Sequence, residues 1–564
     1  MIPTAHHRTD PQSMPDSHTP VDLPWKQQHL SVSHDDKTLF AVPTLAESAE
    51  LIGRNRQHLD QSELNIQGRS LAKLRQWTRE TLIPVACEYT SSLAGESITA
   101  DASRAVVVSG HQPEMFHPGV WAKNFALNRL ASHRGGTALN LVVDNDICSS
   151  TEIRVPQGTR ETPIMQPIAF DAPTVPHPWE EARIQNAEMF RSFGQRITSA
   201  MKPWGVRPLI DSIWQDAVDH IPQSSLLGDC LTAARNRLER RWGLNNLELP
   251  LSRLCAQEPF LWFASHLFAQ APKFLSVHNT VLHEYKRLYR IRSATHPVPA
   301  LRTTDGWTES PFWMWRVGDQ TRRRVYSRQE QREIWLSDGN DVFAKLPLSP
   351  EMDACCAVEV LKKLPAQGIR LRTRALTTTL FSRLCLGDLF IHGIGGAKYD
   401  ELTDQIIARF WNMTPPAFSV LSATLFLPIA ESYDVTVSDA TRLRTQLRDL
   451  HYNADRHVSR KSSDELTRLI DEKSALIAEQ HAAKTVGLSR NARRQNRHAN
   501  FKRFRKLQDV QQQLQRCAVD QHNLLEHELN SVKQQLAANS ILKDREFPFC
   551  LYPEEQIRGF MSEI

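Results

Sequence analysis

The chain has 564 residues, far more than the roughly 250–300 at which a single hydrophobic core stops growing, so two or three domains are expected. A composition of 41% hydrophobic and 23% charged residues with a formal charge of +5 is that of an ordinary globular protein, too weakly basic to demand a polyanionic partner. No run of about 18 apolar residues could span a membrane, and nine cysteines without a CxxC pair fit reduced thiols in a cytoplasm rather than a disulfide framework.

Residues 1–30 are rich in His, Pro, Ser and Asp with no apolar h-region, and read as a disordered tail rather than a signal peptide. Residues 31–100 form an N-terminal helical segment, because LAESAELIGRNRQHL and GRSLAKLRQWTRETLIPVACEYTSSL repeat apolar residues three and four apart. Over 101–160 the pattern becomes strand, loop, helix, strand: RAVVVSG, HQPEMFHPG, a helix over 121–133, and ALNLVVDND. Such a βαβ unit implies a parallel sheet with a right-handed crossover, the first half of a Rossmann-like core. Residues 161–345 read as a helical insertion or connecting region, with some mixed sheet around SPFWMWRVGDQTRRRVYS. The α/β pattern returns over 346–430, where LGDLFIHG, IGGAKYDE and LTDQIIARFW give strand, Gly-rich loop and helix, the core's second half.

Beyond 430 the helices turn long and polar. Leu466, Leu469, Ile470, Leu476 and Ile477, then Phe504, Leu507, Val510, Leu514, Leu524, Leu525, Leu529, Val532 and Leu536, run mostly in three–four steps, with Gly487 and Ser489 between the two sets. This predicts an antiparallel coiled-coil hairpin over 431–545, a device that commonly pairs subunits, so a homodimer is expected. Residues 546–564 are apolar enough to return onto the core.

Chemistry concentrates at a few places. In the first loop Gly110 permits the turn, Pro118 pre-sets the helix start, and His111, Gln112, His117 and Lys123 supply donors. The next strand ends in Asp144-Asn145-Asp146, where carboxylates suit a ribose, an amine or a magnesium ion, or simply cap the next stretch of chain. In HGIGGAKYDELTD, Gly393, Gly395 and Gly396 allow close backbone approach to a phosphate or carboxylate, Lys398 adds charge and Asp400 can cap the helix. Arg370, Arg372 and Arg374 alternate in GIRLRTRAL and share a face of a strand, fit for one anion or for a solvated edge. A basic run, SRNARRQNRHANFKRFRK, has no acid until Asp509 and reads first as a solvated face, so nucleic acid is not the expected partner. His278, His283 and His296 lack a metal-binding spacing, and no metal site is expected.

Taken together these pieces resemble one family, the bacillithiol-biosynthesis cysteine-adding enzymes (BshC). Gly110-His111-Gln112 looks like that family's Gly-Gln-Gln-type loop, with His in place of a Gln. Phe116-His117-Pro118-Gly119 is similar to its helix start, and Asp144-Asn145-Asp146 to its acidic stretch. Arg370–Arg374 and Gly393–Tyr399 look like its Arg-rich strand and its Gly-rich junction carrying a Tyr. The order of elements matches from about residue 100 to the end. The resemblance implies a Rossmann-like core akin to class I aminoacyl-tRNA synthetases and a ligase joining cysteine, or a related amino acid, to an amino-sugar conjugate such as glucosaminyl-malate. ATP or ADP is the cofactor it implies, with Gly110, Gly393, Gly395 and Gly396 toward the nucleotide. His111, Lys398 and Asp146 are then the expected catalytic residues. Gln112, His117, Asp144, Arg370, Arg372, Arg374 and Tyr399 are expected to bind substrate. The alternative is a non-catalytic nucleotide- or RNA-binding protein that uses the basic hairpin.

Overall fold

The structure, a computed structural model, describes residues 21, 23–26, 30–173, 175–292, 298–319, 321–458, 463–482 and 489–564. Most of the expected tail, His296 and Gly487 lie outside the described residues. The fold is mixed α/β, built on a six-stranded sheet of β1 (Thr38–Val42), β2 (Val106–His111), β3 (Thr137–Val142), β4 (Leu247–Pro250), β5 (Leu389–His392) and β6 (Ser419–Thr424). Their spatial order is β1-β6-β5-β2-β3-β4. All neighbours run parallel except β1, which lies antiparallel on β6 as an edge.

The sequence makes this sheet by being apolar on both faces, as a covered parallel sheet must be. Val106, Val108, Leu139, Leu141, Leu249 and Phe390 face one core, while Val107, Ala138, Leu389, Ile391 and Leu421 face the other. Helix α1 (Pro118–His133), which comes after β2, packs Trp121, Phe125, Ala126 and Leu130 on the second face. Helix α2 (Ile394–Trp411), which comes after β5, packs Leu402, Ile406, Ile407 and Phe410 on the first. Two adjacent parallel strands therefore send their helices to opposite sides of the sheet.

Two expectations change. The region 161–345 is not an insertion between two halves of the core, because it contributes β4 to the main sheet itself. Leu247–Pro250 is a four-residue strand, LELP, interrupted by Glu248 and too short to show a period. The same region is also richer in strand than expected: Trp307–Arg316, Arg323–Glu330, Glu333–Ser337 and Val342–Pro347 belong to a second, antiparallel sheet, joined by Ile369–Thr373.

Four long helices complete the chain's second half: α3 (Val437–Tyr452), α4 (Asp464–Ala482), α5 (Arg490–Cys517) and α6 (Val519–Leu542). Leu466, Leu469, Ile470 and Leu476 of α4 pack on Val510 and Leu514 of α5, and Ala440 and Leu443 of α3 pack on Leu529 of α6. The stretch carrying the second apolar set, Phe504 to Leu536, breaks at Ala518, and Phe504 and Leu524, expected on the seam, face solvent. The closing segment returns to the core through Phe549, Leu551 and Tyr552, whose hydroxyl donates to the Leu425 carbonyl at 2.8 Å.

Candidate functional site

Where the helices of β2 and β5 diverge, a cavity of about 960 Å³ opens at the carboxyl ends of both strands. Crevices at this position of an open parallel sheet are the usual place for a ligand. Gly110, His111 and Gln112 line it from β2 and its loop, and His117 and Lys123 from the start of α1. His392, Gly393, Gly395, Gly396 and Lys398 line it from β5 and α2, and Trp313, Arg322 and Arg374 from the second sheet and its edge.

Local chemistry fixes the start of α1. Pro118 takes the first helical position, and His117 caps the helix by accepting the Gly119 N–H on Nδ1 at 3.1 Å. The ring proton of the neutral imidazole therefore sits on Nε2. Burial, with the Arg545 and Lys123 cations beside it, pushes the His117 pKa down to about 4. His111 falls further, to about 3, through burial and then Lys123. Its Nδ1 lies 3.3 Å from the Gln112 carbonyl, and its ring meets Phe116 edge-on. Both histidines are neutral at pH 7.

Lys123 is the anomaly of the site. Its neighbours Trp121, Ala122, Phe125 and Ala126 are core residues, and Lys123 itself is only 4% exposed. The ammonium donates to the Gly110 carbonyl at 2.8 Å. Burial alone drives its pKa down to about 8, and among the described residues no carboxylate lies within ion-pairing distance. At pH 7 the group is thus a buried cation with two N–H donors left over.

The Gly-rich segment differs from the expected loop. Gly393 caps α2, and Ile394, Gly395 and Gly396 already form its first turn. Asp400, expected at the helix cap, lies inside the helix instead, bonded to Arg383 at 2.6 Å with His392 Nε2 2.8 Å away. A Cβ on Gly393 or Gly395 would meet nothing within 4 Å, so bare backbone faces the cavity. The first N–H groups of a helix have no partner within it and carry the positive end of its dipole. Gly110 has a different reason: its Cβ would lie 2.9 Å from the Leu141 carbonyl oxygen, so glycine here lets β2 and β3 pack.

The remaining expected residues divide. Asp146 lines the cavity, but Gln112 Nε2 (2.9 Å) and Arg322 (3.1 Å) already hold its carboxylate. Asp144 turns to the far side of β3, where it accepts the Ser252 N–H at 2.9 Å and borders a separate cavity of about 130 Å³. Burial, with Glu180 nearby, lifts its pKa to about 7. Arg370 and Arg372 do not reach the cavity. Arg372 chelates Glu180 at 2.8 and 2.7 Å, and Arg370 lies 3.6 Å from Glu181. Only Arg374 arrives, paired with Glu309 at 2.8 Å. Lys398 lines the rim with an exposed side chain, and Tyr399 packs beside the core rather than on the cavity.

The second sheet adds residues that sequence reasoning missed. The guanidinium groups of Arg322 (5.1 Å) and Arg374 (4.3 Å) both pack on the Trp313 ring. His392 and Arg545 also line the cavity. No local signal marks Trp313 and Arg322, because the pairing of Trp307–Arg316 with Ile369–Thr373 brings distant stretches together, whereas His392 heads the Gly-rich stretch already singled out in the sequence. Lys123 did carry a signal, a lone cation inside an apolar helical stretch. None of the nine cysteines lines the cavity, and among the described residues no three His, Cys, Asp or Glu side chains gather as metal ligands. Compared with known proteins, the chain matches no family model and no curated sequence.

Proposed function

We propose that the cavity binds an anionic, phosphate- or carboxylate-bearing small molecule and serves a carbon–nitrogen ligase of the bacillithiol cysteine-adding type. That reaction joins cysteine, or a related amino acid, to an amino-sugar conjugate such as glucosaminyl-malate. The observation that carries the anion is Lys123: a buried ammonium without a carboxylate partner is costly unless a bound anion completes it. The helix start at Gly393–Gly396 offers backbone donors, and His117 Nε2 carries a further N–H. Counting the five parallel strands in chain order, the spatial sequence is 3-2-1-4-5, the order of nucleotide-binding Rossmann-like sheets, which supports reading the core as one.

ATP or ADP fits this donor set, since a phosphate group suits an ammonium, an imidazole N–H and bare helix N–H groups together. When bound, ATP would supply phosphoryl activation of a carboxylate. The chain's own residues orient and neutralise. Lys123 holds the anion, while Arg322 and Arg374, paired with Asp146 and Glu309, pack on Trp313 and fix the shape of the opposite wall. His111, titrating near 3, is too weak a base to take a proton near pH 7 and serves as a neutral acceptor on Nε2 for a substrate N–H. Exposed Val519 and Leu524 on α6 offer an apolar contact for the homodimer.

The test is thermal stability of the intact protein with ADP, inorganic phosphate, cysteine and glucosaminyl-malate, followed by mass spectrometry of a mixture containing ATP. Ligands that bind only the folded state raise its melting temperature by mass action. A shift with ADP or glucosaminyl-malate, lost in Lys123→Met, together with a cysteine-containing product, is the expected result. Binding without product would remove the ligase and leave the anion site; no shift with any anion would remove both.

A further inference from the structure

Between Arg490 and Lys506 helix α5 carries eight Lys or Arg and no acid. The charge run alone does not separate a solvated face from a binding face, but two aromatic rings do. Val510 and Leu514 set the buried seam against α4. At 3.6 residues per turn, Phe501 points roughly opposite Val510. It is 55% exposed, and Phe504 is 52% exposed. Arg494, Arg497, His498 and Arg505 share the outward face with Phe501 at spacings of three, four and seven, all exposed. The Arg505 guanidinium lies over the Phe501 ring at 5.5 Å. Core packing explains neither ring, and a face that needed only solvation would not carry them.

We propose that this face of α5 binds single-stranded nucleic acid, its cations neutralising phosphates while Phe501 and Phe504 stack on unpaired bases. Base–aromatic stacking within a basic track is how sequence-tolerant single-strand binders hold their ligand. A duplex fits poorly, because its bases are already stacked and out of reach of the rings. A membrane surface also fits poorly: a helix lying on lipid buries its apolar stripe, and that of α5 is already packed on α4. The surface is separate from the cavity and does not depend on the ligase reading.

The experiment is fluorescence anisotropy of the intact protein with labelled oligo(U) and oligo(dT) of about 20 nucleotides, set against an RNA duplex, heparin and phosphatidylserine vesicles. Both single strands should bind, with log K falling linearly in log salt, and their relative affinity says whether RNA or DNA is preferred. Phe501→Ala and Phe504→Ala should each weaken binding about five-fold or more with an unchanged salt slope. Arg494→Gln combined with Arg497→Gln should lower that slope. These positions are exposed, and unchanged circular dichroism checks that the variants fold. No single-strand binding, duplex or heparin binding as tight as single-strand binding, or phenylalanine variants that bind like the parent would each overturn the proposal. So would phenylalanine-dependent binding to vesicles, or phenylalanine variants that change only self-association in sedimentation.

Discussion

Replacing Lys123 with Met should make the ligand-free protein more stable and the ligand-binding protein worse. The lysine pKa falls from an ordinary 10.5 to about 8 through burial. Its folded-state value thus lies below its unfolded one, so below pH 8 the ammonium opposes folding in full, and the penalty disappears as pH rises from about 8 to 10.5. At about 1.4 kcal/mol per pH unit the penalty at pH 7 is about 3 kcal/mol. Methionine keeps an unbranched apolar stem but gives up the hydrogen bond to the Gly110 carbonyl, a loss of about 1 kcal/mol. The net expectation is a gain of about 1–2 kcal/mol at pH 7, turning into a small loss above pH 10. Denaturant unfolding of both proteins across this range measures it. Sulfate, whose charge is constant from neutral to alkaline pH, measures the other side. At low millimolar concentration, beneath its general salting effect, it should stabilise the parent saturably, with affinity falling toward tenfold per pH unit above about 8, and should leave the variant's midpoint unmoved. A variant less stable than its parent at pH 7 by more than about 1 kcal/mol, or one still stabilised by sulfate, would falsify the idea that this cation waits for an anion.

Substitutions at four further positions separate binding from structure. Gly395→Ala adds a methyl group to the first turn of α2 where nothing lies within 4 Å, so it should leave stability unchanged or raise it by about 0.5–1 kcal/mol while weakening ADP binding in calorimetry. Arg372→Ala strands buried Glu180 and should cost about 3–5 kcal/mol in denaturant unfolding, whereas Arg370→Ala should stay within about 0.5 kcal/mol; equal effects would sink the assignment of these arginines to the scaffold. His117→Ala removes the cap of α1 at about 1 kcal/mol, and His117→Asn should recover most of that stability without restoring anion affinity, since the asparagine oxygen takes the Gly119 N–H but reproduces no imidazole Nε2–H.

How much of the fold was legible in the sequence depends on how local each signal is. The run Val106–Val108 is apolar on both faces and Leu139–Val143 is apolar except for Asn140, and with Pro118 at a helix start they define β2, α1 and β3 without help from elsewhere. Leu247–Pro250 gave no such signal, because four residues carry no period and its partner β3 lies about a hundred residues earlier. The arginines show the same limit from the side of chemistry. Alternation puts Arg370 and Arg372 on one face, and the structure has them there, facing Glu181 and Glu180. Those carboxylates sit on the turn Trp179–Glu181, about 190 residues away, so nothing near the arginines announces that they are neutralised. Arg374, beyond the end of the strand, reaches the cavity but is neutralised in its turn by Glu309. A cluster of cations is therefore a poor guide to an anion site until its acids are located, and a single cation without an acid is a better one.

The same reasoning decides which of the two glycine-bearing helix starts has room for an anion. Both α1 and α2 begin where a parallel strand ends, and both present N-terminal N–H groups toward the cavity. The start of α1 is already satisfied: His117 accepts the Gly119 N–H, and a Cβ on Gly119 would run into the Ala423 carbonyl and the Arg545 side chain. Glycine there serves packing, and the helix end is closed. At α2 no side chain caps the helix, and a Cβ on Gly393 or Gly395 would stand in open space. Packing places no demand on glycine at these two positions, and in the middle of a first turn Gly395 costs about 1 kcal/mol relative to alanine. A glycine that packing does not require, beside uncapped N–H groups and across a cavity from an unpaired buried ammonium, makes sense when a ligand needs the backbone itself. The polar loop after β2 supplies the side chains of this site, and the first turn after β5 supplies its floor.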